Sequence, residues 1–439
     1  METANTSALL SLNLPQAALA GIDLLSFTTT PRFRGVKGLP PGFHFTYVGS
    51  SIAFSERHGV WFQVTEQTPA GSAPLFITRW DTTSETLQAI TDDAHHLRWR
   101  ANLGSIWREG LTPYRQSATA TEFTGEEEPV NWPNLTSHIT STLLFRITGN
   151  DWSLSSASSA KRDLEDIPGL KTEDMPHHTI KDLNFLPVEL KQTWREGATG
   201  RERTDAAKDR SWAFHNLTQH HCTSGDAMEI VGELQFCFLM ILTLNNFSCL
   251  EQWKRILTLV FTCRSAAERE SEIFVHAIRS LSLQLQHCRL ADSGLIDLAD
   301  EGGSMLKGLL VRFRKGLQGL GGVGVQEVVD GLDELEDYLR AEHGWQFGGS
   351  FVKSGVLELE DGEQVRMDTT AFDEDDETGE YAPQVVDLTP EQARLLGVAA
   401  VEELHVSMGG ASIHQAESDD GDDDESKAAE DLEDMDARY

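Results

Sequence analysis

The sequence predicts an α+β protein: an N-terminal antiparallel β-sandwich or barrel-like domain, then an all-helical domain, then an acidic, mostly disordered tail. Three observations carry this reading. Large apolar residues alternate with polar ones over residues 17–144, the period of a half-buried strand. The apolar period lengthens to that of a helix over residues 204–340. The charge is also uneven. The chain of 439 residues carries a formal −34, but residues 358–439 hold 27 acids against four bases, or −23, which leaves −11 on residues 1–357. The expected spans are 17–148 for the β-rich domain, 149–180 for a linker, 181–347 for the helical domain and 348–439 for the tail.

In the first domain, residues 19–25 start a strand that gives way to a turn or extended piece at 26–31. Phe43-His44-Phe45-Thr46-Tyr47 alternates rings with polar groups, and GVWFQV at 59–64 and LFITRW at 75–80 supply the next strands. Glycine and proline punctuate the gaps. A short helix is expected near residues 85–102, and a late strand over 140–148. The densest piece is Phe33-Arg34-Gly35-Val36-Lys37-Gly38-Leu39-Pro40-Pro41-Gly42-Phe43-His44-Phe45. It holds a Pro-Pro-Gly turn and two cations but no Ser, Cys, Asp or Glu, so it offers neither nucleophile nor carboxylate. It reads as a rigid, shaped turn in which Arg34 and Lys37 make hydrogen bonds rather than an RNA-binding patch.

Residues 149–178 read as a linker. Five serines fall within 153–159 and the segment after them is charged, a composition that buries too little apolar area to offset ordering entropy. In the helical part, Leu250, Trp253, Ile256, Leu257, Val260 and Phe261 form one apolar face, and Ile273, Phe274, Ala277, Ile278, Leu281 and Leu285 form another. Asp226 caps a helix over 227–244 whose second half is apolar nearly all round, which predicts a central position. Further helices are expected at 305–317 and 325–340, making five or six. In the tail, Ala382-Pro383-Gln384-Val385-Val386-Asp387-Leu388 reads as a strand, with a short helix opened by Thr389-Pro390-Glu391. Val386 and Leu388 share one side of that strand and Val385 takes the other. Its pairing partner is either the edge of another protein's sheet or this protein's own N-terminal sheet.

The chain shows no catalytic, metal or cofactor signature. The glycine-rich segment 316–324 lacks the Gly-Lys-Ser/Thr of a phosphate loop. Five cysteines at 222, 237, 249, 263 and 288 lie scattered over predicted helices with no Cys-x-x-Cys, so buried free thiols are expected instead of zinc. Asp81 and Asp368 each precede two threonines but lack the glycine of an aspartic-protease turn. An odd cysteine count and an N-terminus without a positive region point to a reducing compartment. The longest apolar run, 236–244, is too short for a bilayer. Direct nucleic-acid binding is not expected, because no strong Lys/Arg cluster is present to release counterions.

The segment 33–45, with Gly21-Ile22-Asp23 upstream, closely resembles the signature of the A1-alpha2 repression (Aar-two) family of splicing factors. So do Gly232-Glu233-Leu234-Gln235-Phe236, Glu251-Gln252-Trp253-Lys254-Arg255-Ile256-Leu257 and Cys263-Arg264-Ser265. Leu186-Pro187, Glu196-Gly197-Ala198-Thr199 and, more weakly, residues 382–386 follow the same order. The resemblance implies a β-rich domain followed by a helical domain like a VHS superhelix. It implies a non-enzymatic assembly factor of the U5 small nuclear ribonucleoprotein, in cytoplasm and nucleus. The implied partner is the large spliceosomal core protein, contacted at its RNase-H-like domain and, through the tail, at its Jab/MPN-like domain. Binding there would exclude the U5 helicase until maturation. The resemblance favours a partner's sheet edge for Val385, Val386 and Leu388. It associates release with phosphorylation, for which the serines of 153–159 and Ser418 are candidates. The insert at 348–380 and the extension after 389 depart from the family pattern. The competing readings are a VHS-like adaptor or other interaction scaffold and, last, a hydrolase.

Overall fold

The computed structural model describes residues 7–51, 55–65, 73–115, 131–165, 182–291, 304–345, 353–358 and 364–369. Residues 1–349 and 350–439 are two separate units. The first unit stacks four layers: two short helices, a mixed sheet, an antiparallel sheet and a helical bundle.

The mixed sheet is built from β1 (Ala8–Leu12), β4 (Gly35–Lys37), β7 (Leu75–Asp81), β8 (Thr86–Ala89) and β9 (Leu111–Pro113), in the order β8-β7-β1-β4-β9. The antiparallel sheet comprises β2 (Leu19–Ile22), β3 (Leu25–Thr28), β5 (Gly42–Gly49), β6 (Arg57–Val64) and β10 (Ser153–Ser155), in the order β10-β6-β5-β2-β3. The expected fold class stands, with one change inside it. β1 lies upstream of the expected start of the domain, yet it occupies the centre of its sheet, pairing in parallel with β7 and antiparallel with β4. β4 pairs in parallel with β9. The expected rigid turn at 33–45 is thus two strands, β4 and the start of β5, flanking a short reversal.

The period-two pattern sorts side chains between layers. Ala8 and Leu10 of β1 face outward onto Trp107 and Leu111, whereas Leu9 packs inward with Ile22, Val36, Phe62 and Val64. β5 is buried on both faces: Val48 meets Val60 and Trp80 between the sheets, while Phe45 and Tyr47 join the core of the helical bundle. The outer layer holds α1 (Asp93–Ala101), capped by Asp92, and α2 (Leu103–Glu109). The expected helix near 85–102 therefore splits into β8 and α1.

Residues 140–148, expected as a strand, form α4 (Ser141–Thr148) after the short α3 (Trp132–Leu135). Thr140 is the N-cap, its hydroxyl accepting from Leu143 N, and Leu143, Leu144 and Ile147 are buried on one face. The β-branched residues of this stretch favour a strand locally; the apolar surface of the bundle decides for the helix. The serine-rich stretch also departs from the linker reading. It forms β10 on the edge of β6, followed by α5 (Lys161–Glu165). Polar bonds do there what apolar burial could not. Asn246 Nδ2 donates to Ser155 O (2.9 Å) and Ser158 O (2.7 Å), and Ser156 Oγ donates to Leu244 O (2.7 Å).

The bundle contains α6 (Gly200–Lys208), α7 (Ser211–His221), α8 (Met228–Leu244), α9 (Phe247–Val260), α10 (Arg264–Arg269), α11 (Ser271–Ala291), α12 (Ser304–Leu317) and α13 (Val323–His343). Eight helices thus stand among the described residues where five or six were expected, because α6, α7 and α10 are short and largely polar. α8 is central as anticipated, with Leu234, Phe236, Phe238 and Leu239 fully buried. Its assigned start is Met228, and Asp226 Oδ1 still accepts from Met228 N (2.9 Å). Among the described residues no helix is long and apolar enough to cross a membrane.

In the second unit, β11 (Lys353–Glu358) and β12 (Gln364–Thr369) pair antiparallel, with Val356 opposite Arg366. Within the tail, expected to be mostly disordered, these two segments form a hairpin that the sequence reading did not mark. Asp361-Gly362 is a hairpin signal in the sequence.

Candidate functional site

The signature segments come together as structure rather than as a pocket of reactive groups. Gly35 has φ +145, and a Cβ there would lie 1.9 Å from Leu9 O, so only glycine lets β4 approach β1. Val36 is buried between the sheets. Phe33 meets Phe27 edge-on at 4.9 Å. Arg34 N donates to Gly110 O (2.8 Å), and its aliphatic stem covers Gly110. Lys37 Nζ donates to Trp107 O (2.9 Å) and sits 5.4 Å from that ring's centre. Lys37 was expected to fix the turn through hydrogen bonds; its side-chain bond fastens α2 instead.

His44 is the surprise of this segment. It is 1% exposed, and both ring nitrogens face acceptors: Nδ1 lies 2.7 Å from Asp23 Oδ2 and Nε2 lies 2.8 Å from Pro40 O. An imidazole bonded in this way carries both protons and is cationic. Burial pulls its pKa down, but the Asp23 hydrogen bond and charge, with the Pro40 carbonyl, outweigh that and hold it above 6.5. Asp23 also accepts from Phe45 N (2.8 Å) and from the Tyr114 hydroxyl (2.5 Å). Burial and the Asp23 charge push the Tyr114 phenol well up. Asp23 itself takes φ +54, a left-handed conformation that Asp tolerates. Pro40, Pro41, Gly42, His44 and Tyr114 rim a cleft of about 300 Å³.

The second group of signature residues forms a seam between the β-rich layers and the bundle. A Cβ on Gly232 would lie 2.3 Å from His138 O, so α8 and the loop before α4 touch there. Glu233 is fully buried, and every bonding neighbour is a donor: Arg146 Nη2 (2.6 Å), Gln252 Nε2 (2.7 Å) and Leu186 N (3.0 Å). Burial pushes its carboxyl up against the pull of the Arg146 charge and hydrogen bond. Arg146 is held above its ordinary value despite burial, by Glu233 and by Glu229 Oε1 at 2.7 Å. With donors alone around the carboxylate, the pair is ionised. Gln235 Oε1 accepts from His138 N (2.8 Å), and its amide donates to Ser137 and Ser280. Leu234 is in the core, Phe236 stacks on Trp61 at 6.0 Å, and Trp253 Nε1 donates to Gln284 Oε1 (2.9 Å).

Arg146, Tyr114 and Asp209 escaped the sequence reading. Two carboxylates one turn apart on an apolar helix, Glu229 and Glu233, demand a cation, and that was the available signal for Arg146. Asp209 accounts for the Cys263-Arg264-Ser265 match: its carboxylate accepts from Arg264 N, Ser265 N and Oγ, and Ser211 N and Oγ. All five cysteines are buried and none is in a disulfide, and burial pushes the Cys222 thiol up to about 12. Among the described residues no group of three or more His, Cys, Asp or Glu could hold a metal ion. A cleft of about 1190 Å³ between β6, β8 and α1 is lined by none of the signature side chains. Val385, Val386, Leu388 and Ser418 lie outside the described residues.

Two family profiles match the chain in order. One, described as the AAR2 N-terminal domain, covers residues 5–149, and the other, the AAR2 C-terminal repeat region, covers 185–348. A Caenorhabditis elegans protein named Protein AAR2 homolog is 27% identical over 309 residues, covering 65% of this chain and 80% of that protein. Human and mouse proteins of the same name are each 25% identical over 304 residues, covering 62% of this chain and 74% of theirs.

Proposed function

This chain belongs to the AAR2 family, and from that premise we propose that it is a non-enzymatic assembly factor for the U5 small nuclear ribonucleoprotein in pre-mRNA splicing. It holds the large core splicing protein at the RNase-H-like and Jab/MPN-like domains and keeps the U5 helicase away until maturation, in cytoplasm and nucleus. The observation that carries the reading is the use made of the signature residues. Gly35 and His44 are buried and fix strands within the β layers, and Glu233 and Gln235 are buried and hold α8 to α4 and its preceding loop, so the signature residues serve the fold and leave its outer surface for a partner. Such a surface suits the docking of a large partner without chemistry. The strand at 382–388 adds to the edge of a partner sheet.

Isothermal titration of the full chain with each purified partner domain tests the proposal. Saturable binding to the RNase-H-like domain is expected. Absence of heat with both domains at tens of micromolar would overturn it.

A further inference from the structure

β8 is the last strand of its sheet, and it lines the cleft of about 1190 Å³ together with residues of β6, β10 and α1. Just past β8, Ile90 N donates to Ile77 O (2.8 Å). In an antiparallel ladder the bonded pairs alternate, so Gln88 faces Arg79 and Thr86 faces Asp81 through hydrogen bonds. Leu87 and Ala89 therefore turn their N–H and C=O groups away from β7, and both residues line the cleft. No described residue bonds to those groups. Thr86-Leu87-Gln88-Ala89 holds neither charge nor proline, two common means of blunting a free edge. At the opposite edge of the same sheet, β9 ends in Pro113.

The cleft is apolar where an added strand would place its side chains. Phe62 and Phe76 line it from between the sheets, with ring centres 4.7 Å apart. Leu97, 69% exposed on α1, lines it from the other side. Glu56, Asp93 and Asp151 line it against the single guanidinium of Arg100 and no lysine, so the lining is net negative.

We propose that the β8 edge binds an extended segment of a partner protein, apolar at alternate residues and carrying lysine or arginine, as an added strand. The backbone of that segment completes the outward groups of Leu87 and Ala89. One row of its side chains fills the space beside Phe62, and the other row covers Leu97. A small apolar ligand would leave the backbone groups unbonded, and a nucleic-acid strand would meet carboxylates. The inference does not rest on the partner proposed above.

The probe is a fluorescent peptide of alternating valine and threonine with a lysine at each end, because an edge that reads backbone tolerates sequence. Titrated with the full chain, it should bind saturably, and amide hydrogen exchange should slow over residues 86–91. Ala89→Pro removes an outward N–H that no described residue uses, and Leu97→Lys alters an exposed wall that folding does not need. Each should weaken binding by about tenfold or more, and Leu97→Lys keeps the test decisive if the proline disturbs β8. A fully N-methylated peptide cannot pair and should not bind. Equal binding of the methylated peptide would give the cleft to an apolar ligand, and equal binding with glutamates in place of the lysines would refute the charge match. A wild-type dimer that Ala89→Pro dissolves would give the edge to a second copy of this chain. Any of these results, or no saturation at millimolar peptide, would overturn the proposal.

Discussion

Replacing Arg146 by Met isolates the seam. Arg146 bonds to Glu229 (2.7 Å), Glu233 (2.6 Å) and Asn184 O (2.9 Å), so Arg146→Met leaves the fully buried Glu233 without this cation. Removing one partner of a buried ion pair costs about 3–5 kcal/mol, because the remaining charge stays desolvated. For a body of this size each kcal/mol shifts Tm by roughly 2 °C, so a fall of about 6–10 °C is expected by scanning calorimetry. The same logic makes a second demand. Arg146→Met with Glu233→Gln removes the stranded charge yet keeps an acceptor for Leu186 N, so the double variant should melt above the single one. If Arg146→Met melts within about 1 °C of wild type, as a surface change would, the seam carries no net stability. A double variant no better than the single would refute the desolvation argument itself.

Three further outcomes are expected. The His44 pKa is raised in the folded state, so the cation's contribution is fully present below pH 6.5 and is lost as pH rises through the folded value. The stability gap between wild type and His44→Gln, read from urea midpoints, should narrow from about pH 6 to about pH 9; a constant gap would mean His44 is not charged. Gly232→Ala puts a methyl against His138 O and should cost about 1–3 kcal/mol, whereas at Gly331 in α13 the new methyl would meet Ile278 at an ordinary 3.6 Å. Gly331→Ala should therefore gain up to about 1 kcal/mol in chemical denaturation, and equal effects at the two sites would contradict the close-approach account. Deleting residues 382–388 should weaken partner binding at least about tenfold, or ~1.4 kcal/mol, and an unchanged titration would remove that strand from the mechanism.

What could be read ahead of the structure followed from local period. β5, β6 and β7 alternate as half-buried strands do, and the all-round apolar character of 236–244 placed α8 at the centre. What could not be read depended on partners far along the chain. Thr140 to Thr148 has strand-like composition, and it becomes helical because α8 offers it an apolar surface and two acids for Arg146. The serines of 153–159 carry too little apolar area to order themselves, and Asn246 orders them from the start of α9. The candidate site divides the same way: motif matching picked out Glu233 and His44, but nothing local told that each belongs to a buried ion pair.

The chain's own residues determined the two periods, the acidic last fifth, the family signatures in their order and the lack of a nucleophile or metal pattern in them. Only the tertiary structure decided that β1 sits mid-sheet, that Asp23 pairs with His44, and that Arg146 neutralises an acid on another domain's central helix. The physical reason is range. Hydrophobic periodicity is written within a turn or two of chain, whereas the cost of a buried charge is set by whatever side chain folding brings beside it.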